Sequence, residues 1–348
     1  MPASLLRSLL LFCCGLALLA FASRGVHAAP WHKPPGAPLT GYGSTERYLQ
    51  SDNNGTDYSV QRSGSAANGD QIWYYLPATL KYGDRAPVVV FLHGFACLYP
   101  SLYLSHIEHL VRQGNIVIFP QFQKSTLSGF LREAGLGQAA DQNVWARRAV
   151  DTVAQVLEQL GDQVQQDEIY LYGHSLGGLI ALSWQANGGV PVAAVVLSHP
   201  QVNSQEGIPP FVQGMLKIIE IPWRDYAPAI TAPVIILSGN DDTIATVAQS
   251  EDILSLLDNA PSKVLYVAQK DSYGRPKISP NHGAPLDDIK GLPDHLKFFS
   301  ISGELDALDY RYYFAGLDAV MDGGRDGLVF DMGAWSNGRA VKPVLQLH

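Results

Sequence analysis

The stretch EIYLYGHSLGGLIALSW, residues 168–184, decides the fold of this chain. It begins as an apolar run typical of a buried strand and continues beyond Ser175 with a helical pattern. Gly173 and Gly177 flank the serine, so a strand, a G-x-S-x-G turn and a helix follow one another. This order is typical of a nucleophile elbow, a turn so tight that larger flanking side chains would collide with neighbouring backbone. The stretch therefore predicts that Ser175 presents its hydroxyl at the carboxyl end of a sheet.

Short apolar runs alternate with longer amphipathic stretches from residue 71 onward. Several runs are continuously apolar and β-branched, which is typical of parallel strands covered by helices on both faces. The alternation predicts one doubly wound α/β domain over residues 71–348. The predicted strands are 72–77, 86–94, 115–122, 168–175, 192–200, 232–242 and 263–269, and the predicted helices are 102–113, 141–160, 176–187, 246–258 and 305–320.

The amino-terminal residues have the pattern of an export signal. Arg7 precedes an apolar stretch, 9–22, that is short for a membrane span, and small residues end at Ala28. We expect residues 1–28 to be a signal peptide cleaved after Ala28, which places the protein in the periplasm or the medium without a stable membrane span. An uncleaved anchor is the alternative. Residues 29–70, rich in Gly, Pro, Ser and Asn, predict an irregular arm.

Composition excludes several classes of partner. The chain has a formal net charge of −8 and no basic patch interleaved with aromatics, so nucleic acid is not an expected partner. No phosphate-binding glycine motif follows a strand, and His106 and His109 lack a second pair of metal ligands, so we expect no cofactor and no metal. Cys97 alone remains beyond residue 28, which leaves no internal disulfide. The oligomeric state is not readable from the sequence.

A nucleophilic serine requires a histidine as base and an acid that orients the histidine. When the serine lies on a nucleophile elbow, the acid follows it in the chain and the histidine follows the acid. The stretch VIILSGNDDTIAT supplies two candidate acids beyond a predicted strand. We favour Asp242, three residues after Gly239, and keep Asp241 as the alternative. His174 and His199 also lie at strand ends, and we expect them to pack or hydrogen-bond.

Three histidines follow Asp242 in the chain. His282 lies in a loop after the last predicted strand, where catalytic histidines are held, and we assign it as the base. His295 has the pattern of a helix-edge or surface residue, and His348 is the last residue.

Two backbone N–H groups are expected to form an oxyanion hole. One is that of Phe95, in the HGF sequence that ends an early strand, and the other is that of Leu176, which directly follows the nucleophile.

These motifs together resemble the α/β-hydrolase superfamily over about residues 70–325. GHSLGG resembles its elbow, FLHGF its oxyanion strand, SGNDD its acid loop and NHG its histidine loop. The sequence HGFACLYPSLYLSHIEHLVRQGNIVIFPQFQ, residues 93–123, resembles chlorophyllase-like, polyester-hydrolase-like and dienelactone-hydrolase-like serine esterases. The resemblance implies ester hydrolysis through an acyl-serine without a cofactor. Secreted polyester hydrolases usually carry a carboxyl-terminal disulfide, which this chain cannot form.

The expected substrate is a small or lipid-like ester with an apolar acyl or aryl group. Tyr99, Tyr103 and Trp223 are the candidate substrate contacts. Residues 201–231 form a long apolar insertion, which predicts either a lid over the substrate or a segment docked on the core. Acyl transfer, peptide hydrolysis and ligand binding without catalysis remain alternatives on this fold.

Overall fold

Nine strands form one sheet in the computed structural model, which describes residues 31–49, 57–203, 205, 213–287 and 303–348. Their order across the sheet is β1-β2-β4-β3-β6-β7-β9-β10-β11. The six strands from β4 to β10 in this order run parallel, and β1, β2 and β11 are antiparallel to their neighbours. The strands are β1 Tyr58–Ser63, β2 Ile72–Pro77, β3 Ala86–Leu92, β4 Ile116–Pro120, β6 Val164–His174, β7 Ala194–Ser198, β9 Val234–Gly239, β10 Lys263–Ala268 and β11 Leu345–Leu347, with β5 Ala140–Asp141 and β8 Ile218–Ile219 forming a separate parallel pair.

Helices cover both faces of the sheet. None within the described ranges has both the length and the apolar character needed to cross a bilayer. The predicted signal peptide, residues 1–28, lies outside the described residues. The helices are α1 Leu104–Arg112, α2 Leu127–Glu133, α3 Asn143–Leu160, α4 Leu176–Leu182, α5 Trp223–Tyr226, α6 Val247–Ser255 and α7 Ala315–Met321, and a π-helical turn, Asp309–Phe314, leads into α7.

The sheet separates the two largest clusters of the hydrophobic core. Every residue of β3 is buried, and its side chains alternate between the clusters. Val88 and Val90 pack in the cluster that contains α3, whereas Val89 and Phe91 pack in the cluster that contains α1 and α7. This burial on both faces confirms the predicted doubly wound α/β architecture.

The amino-terminal segment differs from the irregular arm expected over residues 29–70. Strand β1 lies inside that range, and the prediction is wrong there because its side chains are largely exposed and show no apolar alternation. Further upstream, the Gly43 N–H donates to Oδ2 of Asp318 over 2.8 Å, and His109 contacts the same oxygen. Because Asp318 is buried in α7, this part of the segment is fixed to the domain.

The described part of the apolar insertion is largely docked on the protein. Strand β8 pairs with β5, and the side chains of Ile221 and Trp223 lie in the core. Met215 and Ile219 are exposed. The docked alternative therefore describes the later part of the insertion, while residues 204 and 206–212 lie outside the described ranges.

Buried neutral histidines make the fold sensitive to acid. Burial lowers the pKa of His93 to about 3, and it also lowers the pKa values of His106, His174 and His199. The unfolded chain takes up protons on these rings below about pH 6.5, whereas the native protein does not. The free energy of unfolding therefore carries no penalty from these histidines above about pH 6.5, and it decreases as the pH falls below that value.

His106 isolates this effect in one side chain. Its ring lies 4.4 Å from the Phe314 ring, and neither nitrogen has a hydrogen-bond partner among the described residues. We predict that His106→Phe reduces the loss of unfolding free energy between pH 8 and pH 5 by about 2 kcal/mol, the effect of one proton over 1.5 pH units. Urea unfolding at both pH values measures this difference. His348→Phe, at an exposed position, is the control; an equal pH dependence in both variants would contradict the prediction.

Candidate active site

A strained turn carries Ser175 between β6 and α4. The serine has φ +56° and ψ −118°, a conformation that non-glycine residues adopt only when surrounding structure enforces it. A Cβ on Gly173 would lie 2.4 Å from the Gly177 carbonyl oxygen, and a Cβ on Gly177 would lie 2.0 Å from that of Leu92. The two glycines are therefore required because backbone from the helix and from β3 occupies the space of a side chain.

The structure brings the three predicted side chains into a single line. Ser175 Oγ lies 2.7 Å from His282 Nε2, and His282 Nδ1 lies 2.8 Å from Asp242 Oδ2. All three residues are buried, with His282 the most exposed at 7%. They follow β6, β9 and β10, whose carboxyl ends meet at one edge of the parallel sheet. This is the connectivity of a nucleophile, a base and an orienting acid.

Asp242 is held as a carboxylate by four hydrogen bonds. Its Oδ2 accepts from His282 and from His199, each over 2.8 Å. Its Oδ1 accepts from the backbone N–H groups of Ile244, over 2.7 Å, and Ala245, over 2.9 Å. Burial by itself would raise the pKa of Asp242, but the hydrogen bonds that the two imidazoles donate to the carboxylate, together with their electrostatic interaction with it, outweigh burial and hold that pKa well below its ordinary value.

The alternative residues lie elsewhere or outside the described ranges. Asp241 pairs with Lys270 over 2.7 Å and accepts a hydrogen bond from the Ser279 hydroxyl. His295 lies outside the described residues. His348 is exposed and contacts Gln346. Within the described chain, His282 is thus the histidine that contacts the Ser175 hydroxyl, and Asp242 is the acid that contacts His282.

The two expected oxyanion donors lie on fixed backbone. Within the described residues, neither the Phe95 nor the Leu176 N–H donates a hydrogen bond to the protein. The loop around Phe95 is held by its neighbours, because the Gly94 N–H donates to the Tyr103 hydroxyl and the Ala96 N–H donates to Gln123, each over 2.9 Å. Two unused donors beside a nucleophile are what a developing oxyanion requires.

His174 fixes the loop that carries His282. Its Nε2 lies 2.9 Å from the His282 carbonyl oxygen, which can only accept, so Nε2 carries the proton. Nδ1 then accepts from the Tyr103 hydroxyl over 2.9 Å. His174 therefore hydrogen-bonds, as its position at a strand end predicted, although its partners were not predictable from the sequence.

The structure corrects two of the three expected substrate contacts. The Tyr103 ring is 1% exposed and its hydroxyl is engaged with Gly94 and His174, so it supports the loop and does not face a substrate. Trp223 is 6% exposed and packs in the core beneath the Arg224 guanidinium. Tyr99 is partly exposed and stays a prediction. A sequence pattern does not show which faces of an aromatic side chain the rest of the fold covers.

One group in the described chain has the spacing of a metal site, namely His199, Asp242 and His282. Their ligand atoms lie within 4.8 Å of one another. The closeness is explained by the two imidazole Nδ1–H groups that donate to the carboxylate, since a metal would require both nitrogens without protons. The donor set therefore fits a hydrogen-bonded acid better than a cation site.

Comparisons with known proteins agree with this fold. A family model described as serine aminopeptidase, S33, matches residues 83–226, which include Phe95 and Ser175 but end before Asp242. No curated protein sequence is significantly similar to the chain.

Solved structures are similar at low sequence identity. A protein from Bacteroides ovatus described as a dipeptidyl aminopeptidase IV has TM-score 0.54 and 11% sequence identity. The match covers 79% of this chain and 37% of the Bacteroides chain. The acylaminoacyl peptidase of Pyrococcus horikoshii has TM-score 0.53 and 16% sequence identity, and the match covers 79% of this chain and 43% of the peptidase chain. Est1E from Butyrivibrio proteoclasticus has TM-score 0.48 and 15% sequence identity, and the match covers 76% of this chain and 99% of the Est1E chain. The chain thus spans less than half the length of either peptidase.

These findings confirm the α/β-hydrolase fold predicted from the sequence. The family match covers the elbow that carries Ser175.

The neighbouring acids Asp241 and Asp242 provide a matched test of the site. We predict that Asp242→Asn lowers kcat for ester hydrolysis by about 10⁴-fold, because the imidazole loses the partner that fixes its tautomer. Asp241→Asn, which removes the same charge one residue away, should leave kcat within about 3-fold of the wild type, the scale of a surface change. Steady-state assays of both variants at pH 8 measure the contrast; comparable losses in the two would contradict the assignment.

Proposed function

We propose that the protein is an exported serine hydrolase that cleaves carboxylic esters with an apolar acyl or aryl group through an acyl-enzyme. The observation that carries the proposal is the line from Ser175 through His282 to Asp242, with hydrogen bonds of 2.7 and 2.8 Å. Two unused N–H groups beside it, those of Phe95 and Leu176, supply the electrostatic part of the site.

Acylation uses each of these groups once. Ser175 Oγ attacks the ester carbonyl carbon while His282 Nε2 accepts the hydroxyl proton. Asp242 stabilises the imidazolium that forms, and the Phe95 and Leu176 N–H groups donate to the oxyanion. The imidazolium then protonates the departing alcohol oxygen, the carbon–oxygen bond breaks, and the acyl group remains on Ser175.

Deacylation repeats the sequence with water. His282 removes a proton from a water molecule whose oxygen attacks the acyl carbon, and the same two N–H groups hold the oxyanion. The proton returns to Ser175 Oγ as the carboxylic acid leaves. No cofactor enters the scheme, because every proton moves between Ser175, His282 and the substrate or water.

An aromatic cluster beside the proposed oxyanion hole supports an apolar substrate. The Phe95 ring lies 5.2 Å from the Phe130 ring and 6.3 Å from the Trp145 ring, and Tyr99 packs against the same apolar group. Phe95 and Tyr99 are partly exposed. Burial of an acyl chain against such a surface contributes about 0.8 kcal/mol for each methylene group.

Peptide hydrolysis is the second candidate, because the matching family model is described as a serine aminopeptidase. The same triad and oxyanion donors serve amide and ester substrates. The two candidates differ in the leaving group and in what binds next to the carbonyl, which substrate panels separate.

We predict that p-nitrophenyl hexanoate is hydrolysed with a kcat/KM at least about 10-fold above that of the acetate, since several methylenes reach the aromatic cluster. Both activities should fall by about 10⁶-fold in Ser175→Ala, the scale of losing a catalytic serine. The panel also contains aminoacyl and dipeptidyl p-nitroanilides. Faster turnover of an anilide than of every ester would replace the proposal with the peptidase, and equal rates for acetate and hexanoate would remove the apolar preference.

The export part of the proposal is tested independently. We predict that the protein recovered from the periplasm or medium of a bacterial host begins at Ala29, because small residues precede that position in a signal-like sequence. Amino-terminal sequencing measures this. Recovery of the full-length chain in the membrane fraction would support the uncleaved anchor instead, and replacement of Ala28 by a bulky residue, Ala28→Trp, is the control that should block cleavage.

A further inference from the structure

Asp242 is shared between two imidazoles. His199 Nδ1 contacts the same Oδ2 that His282 contacts, and both distances are 2.8 Å. The side chain of His199 is completely buried, and its ring lies 6.2 Å from that of His282 in an edge-to-face arrangement. His199 does not touch Ser175, so the triad itself does not require it.

The protonation of His199 follows from its partners. Burial lowers its pKa, so the ring is neutral, and the Asp242 carboxylate can only accept. Nδ1–H therefore donates to Asp242, and Nε2 accepts from the Tyr313 hydroxyl over 2.7 Å. The direction of donation runs from Tyr313 through His199 to the carboxylate, which makes His199 a fixed donor with one tautomer.

The backbone around His199 is strained in the way that functional positions often are. His199 has φ +47°, which is unusual for a residue with a side chain, and its N–H donates to the Leu237 carbonyl over 2.8 Å. Tyr313 lies in the π-helical turn Asp309–Phe314, an element that is frequent at functional sites. Two independent irregularities thus meet at this one side chain.

We propose that His199 is a positioning residue of the proposed reaction: it fixes Asp242 so that Oδ2 stays aligned with His282. The proposal rests on the proposed function, since the alignment matters only if His282 acts as a base. The two N–H groups on Oδ1 and the one from His199 hold the carboxylate on three sides, and His282 occupies the remaining direction. Without His199, Oδ2 loses a charge-assisted hydrogen bond, and His282 is the one remaining side chain that holds this oxygen in position.

The test is a double-mutant cycle between His199 and Asp242. In the otherwise wild-type protein, His199→Leu should lower kcat for p-nitrophenyl hexanoate by about 10- to 100-fold with KM within about 2-fold, the range typical of groups that orient an active-site ligand. In the Asp242→Ala protein, where there is no carboxylate to position, the same change should alter kcat by less than about 2-fold. Equal losses in both backgrounds would overturn the proposal and assign His199 to the fold alone.

Conservative variants keep the test informative if the leucine variant does not fold. His199→Asn retains an N–H near the position of Nδ1 and should recover most of the lost kcat. Tyr313→Phe removes the hydroxyl that fixes the tautomer and should produce a smaller loss in the same parameter. The proposal would also be overturned if His199→Asn unfolds at the wild-type temperature but is no more active than His199→Leu. If the leucine variant does not fold, the same comparison is made with Tyr313→Phe.

The serine mechanism and the positioning role of His199 are tested by different variants. Activity that is lost in Ser175→Ala establishes the serine mechanism, and the cycle is then a test of His199 alone. Activity that persists in Ser175→Ala would remove the proposed function and the positioning role together.

Discussion

The close approach of backbone around the Ser175 turn is the constraint on which the rest of the site depends. Gly177 lies so near the Leu92 carbonyl, and Gly173 so near the first turn of α4, that neither position has room for a Cβ. This packing forces Ser175 into a positive φ, and its hydroxyl lies 2.7 Å from His282 Nε2. Strain of this kind persists only because the parallel strands on either side define the backbone completely.

Near that turn, the ionised carboxylate of Asp242 lies among buried imidazole rings, of which those of His174 and His199 are neutral. Asp242 is ionised because two imidazoles and two backbone N–H groups donate to it. Burial keeps His174 and His199 neutral, so each has one donor and one acceptor nitrogen with a fixed direction. Fixed donors cost no reorganisation when charge develops, which is the physical basis of electrostatic catalysis. The same burial makes the fold lose stability as acid protonates the unfolded chain.

Continuous apolar runs such as Ala86–Leu92 made the parallel sheet predictable, because a strand that is buried on both faces has a distinctive composition. The edge strand Tyr58–Ser63 was not predictable, since its exposed side chains lack that pattern. Ser175 was predictable from the elbow, and Asp242 and His282 were predictable from the order in which an acid and a histidine follow the serine along the chain. The sequence could not show that His199 shares Asp242, because their contact arises from the pairing of β7 with β9. Nor could it show that lysine contacts direct Asp241 elsewhere.

The central claim is that the Ser175 hydroxyl becomes a covalent nucleophile through His282. The most direct measurement is stopped-flow release of p-nitrophenol from excess p-nitrophenyl ester, followed by acid quenching and peptide mass analysis of the trapped protein. We expect a burst of about one equivalent of p-nitrophenol per enzyme and an acyl group on the peptide that contains Ser175. Turnover with no acyl adduct at any time, or an adduct on a different residue, would contradict it.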